Sequence, residues 1–154
     1  MKILIHLMSI LTVFIFLPGC TEDNPVEPEE QHFEAIGLYV ISDGDTIVKY
    51  VDGVVTGSIE VQAGQQTPLL SIRFLTDKGD IGIPQGNESS LAWNISDVSV
   101  ADIESEEDEL TAYQFHISGK KAGNTEITII INHNDHKDFE SKAIPIVVST
   151  AGWG

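Results

Sequence analysis

Two histidines and two aspartates lie within six residues of one another in the last quarter of the sequence. His133 and His136 are three residues apart, with Asp135 between them and Asp138 just beyond. Imidazole nitrogens and carboxylate oxygens are ligands that zinc and copper accept. One hypothesis for this segment is therefore a zinc or copper site.

Such a site would need a third or fourth ligand, for which His116 and His32 are the remaining histidines. The strand pattern argues against His116, because it lies opposite Phe115 and Ile117, whereas His133 continues the apolar face of a different strand. The alternative is a polar hairpin loop whose histidines bond to backbone or to the neighbouring aspartates, since no established zinc spacing is present. We therefore expect no cofactor, with zinc or copper as the alternative.

The same loop is also a candidate recognition surface. It lies between the last two predicted strands and offers Asn132, Asn134 and Phe139 beside the histidines. Loops on a rigid scaffold usually carry binding residues. We therefore predict that this end of the domain contacts a partner.

Catalytic motifs are missing from the sequence. It has no G-x-S-x-G elbow, no H-E-x-x-H and no phosphate-binding glycine loop, and its single cysteine has a different predicted role. The carboxylates lie mostly in predicted loops, where they serve solubility more often than acid–base chemistry. We expect no enzymatic activity.

The elements that would position these residues are short strands. From residue 33 to 149, apolar runs alternate with polar residues and are separated by turn signals about every ten residues; the Asp-Gly pairs at 43–44 and 52–53 are hairpin signals. This pattern predicts an all-β, antiparallel sandwich of about seven to nine strands.

Two segments depart from this pattern. Residues 76–90 are rich in Asp, Gly, Asn and Ser, which predicts a long loop with a short strand at 81–83. Residues 104–109 place five carboxylates in six positions. Because like charges repel when they are buried, we expect a solvated loop there.

Residues 91–97, 99–103 and 119–128 resemble the bacterial immunoglobulin-like domains of the group 2 type. The matching features are the strand Trp93, the following Ser96-Asp97, and the small-residue turn that leads through Gly123 into an alternating strand. The resemblance covers about residues 91–148. It implies an immunoglobulin-like fold and says almost nothing about activity.

The first nineteen residues have the layout of a signal peptide. Lys2 precedes an apolar run from Ile3 to Leu17, which is shorter than the roughly 20 residues of a membrane-spanning helix. The end of this run, with Leu17, Gly19 and Cys20, resembles the lipobox of bacterial lipoproteins. That resemblance implies cleavage before Cys20, lipidation of its sulfur and anchoring in the cell envelope, most often in the outer membrane.

Residues 20–32 carry many acidic residues and two prolines, so we read them as a flexible tether. The last residues, 150–154, read as a loose tail. With 24 acidic and 8 basic residues the chain has a formal net charge of −16, which excludes nucleic acid as a partner. The lipid on Cys20 is therefore the predicted membrane contact.

These observations favour a lipid-anchored envelope protein with a binding or structural role. The partner would be another envelope protein or a glycan. The alternative is a periplasmic or surface metal-binding lipoprotein that uses His133 and His136.

Overall fold

The computed structural model describes residues 33–86, 88–134 and 136–150. The predicted signal peptide (1–19), Cys20, the tether to residue 32, Asp135 and the tail beyond Thr150 lie outside the described residues. Within them the elements are β1 (Ala35–Ser42), β2 (Asp45–Val51), β3 (Val54–Gly57), β4 (Ile59–Gln62), β5 (Leu70–Thr76), β6 (Ile81–Gly82), β7 (Ser89–Ile95), β8 (Ala101–Glu104), α1 (Glu107–Thr111), β9 (Gln114–Gly119), β10 (Gly123–His133), β11 (His136–Glu140) and β12 (Ile144–Ser149). None of the described helices is long and apolar enough to cross a membrane.

Two Asp-Gly pairs close the first two hairpins, as the sequence predicts. Asp43 and Gly44 join β1 to β2 with φ angles of 51° and 91°, and Asp52 and Gly53 join β2 to β3 with 53° and 76°. Positive φ at both central residues is the geometry of a type I′ turn, whose twist matches that of paired strands. These turns are therefore set by local sequence.

The first sheet has the strand order β3-β2-β1-β5-β9-β8, and β6 pairs with β5. The second sheet is built around β10, with β7 along one side and β11 followed by β12 along the other. Strand β12 also pairs with β4 in parallel, whereas the other described strand pairs are antiparallel.

Ser141 bridges the break between β11 and β12. Its N–H donates to the Ile129 carbonyl at 2.9 Å, and its hydroxyl accepts the Ile129 N–H at 3.0 Å. A side-chain oxygen therefore replaces one ladder bond, and the edge of β10 stays satisfied where the two strands meet.

The two sheets enclose one apolar core. Alternate residues of β10 point into it, so that Ile127, Ile129 and Ile131 are fully buried. From the first sheet Phe74 and Phe115 fill the space between the layers. The predicted all-β sandwich is confirmed.

The structure has more strands than the seven to nine expected. Several strands have only two to four residues, among them β6 at 81–82, which lies within the short strand predicted at 81–83.

Helix α1 begins within the predicted acidic loop, so the loop assignment was wrong from Glu107 onward, whereas the segment is solvated as predicted. The Glu106 N–H donates to the Glu109 carboxylate at 3.1 Å, as in a capping box. Glu107, Asp108 and Glu109 all lie in the first turn, where the positive end of the helix dipole favours negative charge. Capping and the helix dipole therefore stabilise a short helix whose carboxylates remain in contact with solvent.

Candidate functional site

The histidine segment forms a tight hairpin at one end of the second sheet. His133 ends β10, His136 begins β11, and the two are cross-strand partners. Between them Asn134 has a φ of 50°, a conformation that Asn tolerates better than most residues. The Asn134 N–H donates to the Glu88 carbonyl at 2.8 Å, which ties the hairpin to the residue before β7.

His133 lies on the core face of β10, as its phase with the isoleucines predicts, and is 4% exposed. Its Nε2 is 3.2 Å from Oε2 of Glu88, and its Nδ1 is 3.6 Å from Oδ2 of Asp138. The Asp138 side chain is nearly as buried as that of His133, whereas the Glu88 side chain is mostly exposed. The contact with Asp138 agrees with the polar-hairpin interpretation of this segment.

His136 is exposed, although it is paired with His133 in the ladder. His116 lies on β9 of the first sheet, with its Nδ1 2.9 Å from the Thr67 carbonyl and its Nε2 3.5 Å from Glu109. Across 33–86, 88–134 and 136–150, no three or more His, Cys, Asp or Glu side chains are grouped to hold a metal ion. The zinc or copper site stays a prediction.

The three predicted binding residues of this hairpin lie in different environments. Asn134 is exposed at the turn and Asn132 is half-buried on β10. Phe139 is 7% exposed, and its ring centroid lies 5.5 Å from that of Phe74 and 6.1 Å from that of Tyr50. Phe139 is therefore corrected from a loop residue to a core residue. The register shift between Ile131 and Asn132 sets it opposite buried Ile131.

A cavity that the sequence analysis missed lies between α1, β7 and the segment before β7. Its volume is about 370 Å³, at the lower end of the range for small-molecule sites. The lining residues are Pro84, Gly86, Ser89, Ser90, Leu91, Glu107, Leu110, Thr111 and Tyr113. Strand β7 supplies one wall and the short helix supplies the other.

Tyr113 ends α1 in a conformation that is unusual for an aromatic residue. Its φ is 58°, at the position after the helix C-cap where glycine is most common. The Tyr113 N–H donates to the Leu110 carbonyl at 3.1 Å, and its own carbonyl accepts the Ile72 N–H at 2.8 Å. The left-handed conformation costs on the order of 1–2 kcal/mol for a residue with a Cβ, and these two bonds hold it in place.

The Tyr113 side chain is almost fully buried, with 3% exposure. Its ring packs edge-on against Phe74, with centroids 5.8 Å apart. The phenol oxygen has no hydrogen-bond partner among the described residues, although buried tyrosine hydroxyls usually find one. Burial raises the pKa of Tyr113 to about 12, so the hydroxyl is protonated at neutral pH.

No sequence signal marked Tyr113. Phe115 and Ile117 lie on one face of the predicted strand that follows Tyr113, and that alternation gives no indication of a positive φ at Tyr113. The acidic run just before it was interpreted as a loop, which hid the helix whose end Tyr113 forms. The only sequence feature that indicated this helix was the spacing of Glu106 and Glu109, three residues apart, which allows Glu109 to cap the helix N-terminus.

No protein-family model matches the chain, and no curated protein matches it. Among solved structures it is similar to domains 4 and 5 of the S-layer protein SbsC, at 14% sequence identity and a TM-score of 0.40. The match covers 60% of this chain and 47% of that chain, so it spans about half of the solved structure. At this TM-score the likeness adds nothing to what the strands themselves establish.

Proposed function

We propose that the chain is a non-enzymatic, lipid-anchored envelope protein whose sandwich binds a small ligand in the cavity between α1 and β7. One observation carries the binding role. A cavity of about 370 Å³, at the lower end of the range for small-molecule sites, opens between α1 and β7, and the apolar residues Pro84, Leu91 and Leu110 lie beside polar residues in its lining.

The anchoring part of the proposal is supported by the residues before the sandwich. Leu17, Gly19 and Cys20 resemble a lipobox, and the acidic residues that follow suit a solvated tether. Two or more acyl chains on Cys20 would hold the protein stably, whereas one would hold it only reversibly. The ligand would then be a component of the envelope, free or attached to a larger glycan or protein.

Native mass spectrometry of the full chain isolated from its own envelope tests the binding role. We expect a fraction of the wild-type protein to carry an additional mass beyond its lipid. Ser89→Trp, which adds bulk on the face of β7 that Ser89 shares with Leu91, should remove that mass. Asn94→Trp changes an exposed residue on the same strand, outside the cavity lining, and should keep it.

Two results would contradict the proposal. The first is a wild-type protein that carries no bound molecule under conditions that preserve weak complexes. The second is a bound molecule that Ser89→Trp retains as fully as Asn94→Trp.

A further inference from the structure

The outer face of the first sheet carries an aromatic residue between two cations. Tyr39 on β1 is the cross-strand partner of Lys49 on β2 and of Arg73 on β5. Residues paired in register lie on one face of a sheet, and Tyr39 lies between two buried residues of β1, so this row faces away from the core. The Lys49 Nζ is 5.9 Å from the centroid of the Tyr39 ring, which agrees with a shared face.

Neither cation is neutralised within the part of the chain that the structure describes. Lys120 and Lys137 each form an ion pair with a carboxylate, whereas Lys49 and Arg73 do not. One Arg73 N–H donates to the carbonyl of the preceding residue at 2.8 Å, and the other guanidinium N–H groups remain available. The row is therefore a positive surface in a chain whose net charge is −16.

A row of apolar side chains runs beside these cations. Gly37 is paired with Val51 on one side and Leu75 on the other, and these continue the row to Val54 and Ile81. Val54 is 62% exposed and Ile81 is 60% exposed. The two rows are about 7 Å apart along the strands, and five strands make the apolar row roughly 20 Å long. Positive charge and apolar surface therefore lie side by side over the length of a short peptide segment.

A second copy of the chain does not suit this face. A twofold contact would set Lys49 and Arg73 of one copy against the same cations of the other, between two molecules that each carry a net charge of −16. An anionic glycan would pair with the cations, but its hydroxyls would be desolvated against the apolar row without hydrogen-bond partners.

An acidic segment of a protein matches both rows. Its carboxylates can pair with the cations while its apolar side chains cover the exposed valines and isoleucine. Tyr and Arg are also residues that protein interfaces favour. The negative charge elsewhere on the domain does not prevent the contact, because exposed charges more than about 8 Å apart are largely screened at physiological ionic strength.

We infer that the outer face of the first sheet docks an acidic segment of a partner protein through Lys49, Arg73 and the apolar row. Arg73 binds a carboxylate through parallel N–H groups, and Lys49 pairs with a second carboxylate as a point charge. This face shares no residue with the lining of the cavity beside α1. It is therefore a second site, which adds a protein partner to the small ligand proposed above.

NMR of the full chain with isotope-labelled tyrosine rings, in a neutral detergent, tests the inference. The chain has three tyrosines, and Tyr39→Phe assigns one of the signals. The probes are a short peptide of Glu, Leu and Ser, the same peptide with Lys in place of Glu, and the same peptide with Ser in place of Leu. Polygalacturonate serves as an anionic glycan. The two peptides with Leu enter neutral micelles alike, so a difference between them reports on the protein.

We expect the peptide with Glu and Leu to shift the Tyr39 signal at the lowest concentration of the four probes. The signal of Tyr113, whose ring is buried, should stay in place. Added NaCl should weaken the binding, because the ion pairs are exposed to solvent.

Three variants connect that binding to the face. Lys49→Gln and Arg73→Gln should each weaken it about two- to fivefold, because each removes one exposed ion pair. Lys142→Gln makes the same charge change at an exposed position between β11 and β12 and should leave binding unchanged. Ser89→Trp, which alters the cavity, should also leave it unchanged.

Several results would overturn the inference. Equal binding of the acidic peptide to the wild type and to the double variant with Lys49→Gln and Arg73→Gln is one, and equal binding of the acidic and basic peptides is another. If polygalacturonate or the peptide without Leu shifts the Tyr39 signal at a lower concentration, the face binds an anion without apolar groups, and the inference fails. The proposed function is tested separately, by the bound mass that Ser89→Trp should remove.

Discussion

At Tyr113 both the backbone and the side chain are in positions that cost free energy. The left-handed φ of 58° disfavours any residue with a Cβ, and the buried hydroxyl lacks a partner among the described residues. Burial of the ring against Phe74 offsets these costs. Strain of this kind is more common at functional sites than elsewhere.

Tyr113→Phe should therefore stabilise the ligand-free protein. Removing a buried hydroxyl without a partner, while the ring stays in place, should raise the free energy of unfolding by about 1 kcal/mol. Urea denaturation of the full chain measures this, with Tyr39→Phe as the control that should stay within about 0.5 kcal/mol of wild type. A loss of more than about 1 kcal/mol in Tyr113→Phe would mean that the hydroxyl stabilises the ligand-free fold.

His133 and His136 provide a matched pair for the metal hypothesis. His133 is buried between Glu88 and Asp138, so His133→Ala should lower the free energy of unfolding by about 2–3 kcal/mol. Exposed His136→Ala should change it by less than about 0.5 kcal/mol. Urea denaturation with and without EDTA measures both. A metal site predicts the opposite pattern, with similar losses in both variants and the same loss when EDTA is added to the wild type.

The position of His133 could be predicted from the sequence, whereas that of Tyr113 could not. His133 continues the two-residue period of Ile127, Ile129 and Ile131, so its core-facing position could be predicted. Tyr113 depends on the end of a short helix, and no periodic pattern reports that. Phe139 was misplaced because a register shift in β11, which the sequence does not mark, turns it into the core.

Elements that depend on a few neighbouring residues could be predicted from the sequence. The Asp-Gly turns need only two residues of the right type, and both form as expected. Helix α1 has only five residues and none of them is buried, so it has no apolar stripe to recognise. It rests on the contact between Glu106 and Glu109 and on packing against β7 and β9.

The two sheets approach each other closely at Gly119, the last residue of β9, and a substitution there tests this packing. A Cβ there would lie 2.6 Å from the Gln62 carbonyl oxygen and about 3 Å from Val61 and Val148 of the second sheet. Gly119→Ala should therefore lower the free energy of unfolding by about 2–3 kcal/mol. Gly82→Ala, where nothing lies within 4 Å of the added carbon, is the matched control and should change it by less than about 0.5 kcal/mol. Equal values for the two variants in urea denaturation would contradict this packing.

For the whole molecule, alternation and turn spacing were enough to predict an all-β sandwich. They could not predict which strands pair, because alternation indicates the face of the sheet on which a residue lies and does not identify the neighbouring strand. The parallel pairing of β4 with β12 and the placement of β7 beside β10 join segments that are far apart in sequence. The cavity exists only because these long-range pairings place β7 next to α1.

The lipid anchor proposed at Cys20 determines where the whole protein is located. Cys20→Ala should abolish palmitate labelling and move the protein from the membrane fraction to the soluble fraction, because the acyl chains would be its membrane contact. Thr21→Ala, the neighbouring change, should leave both unchanged. Palmitate labelling that persists in Cys20→Ala would rule out this lipidation site.

The central claim is that the cavity beside α1 holds a ligand, and native mass spectrometry of the full chain from its own envelope tests it most directly. We predict that the wild-type protein carries an additional mass beyond its lipid, that Ser89→Trp loses this mass, and that Asn94→Trp keeps it. A wild-type protein without a bound molecule, or a Ser89→Trp variant that retains the molecule as fully as Asn94→Trp does, would contradict the account.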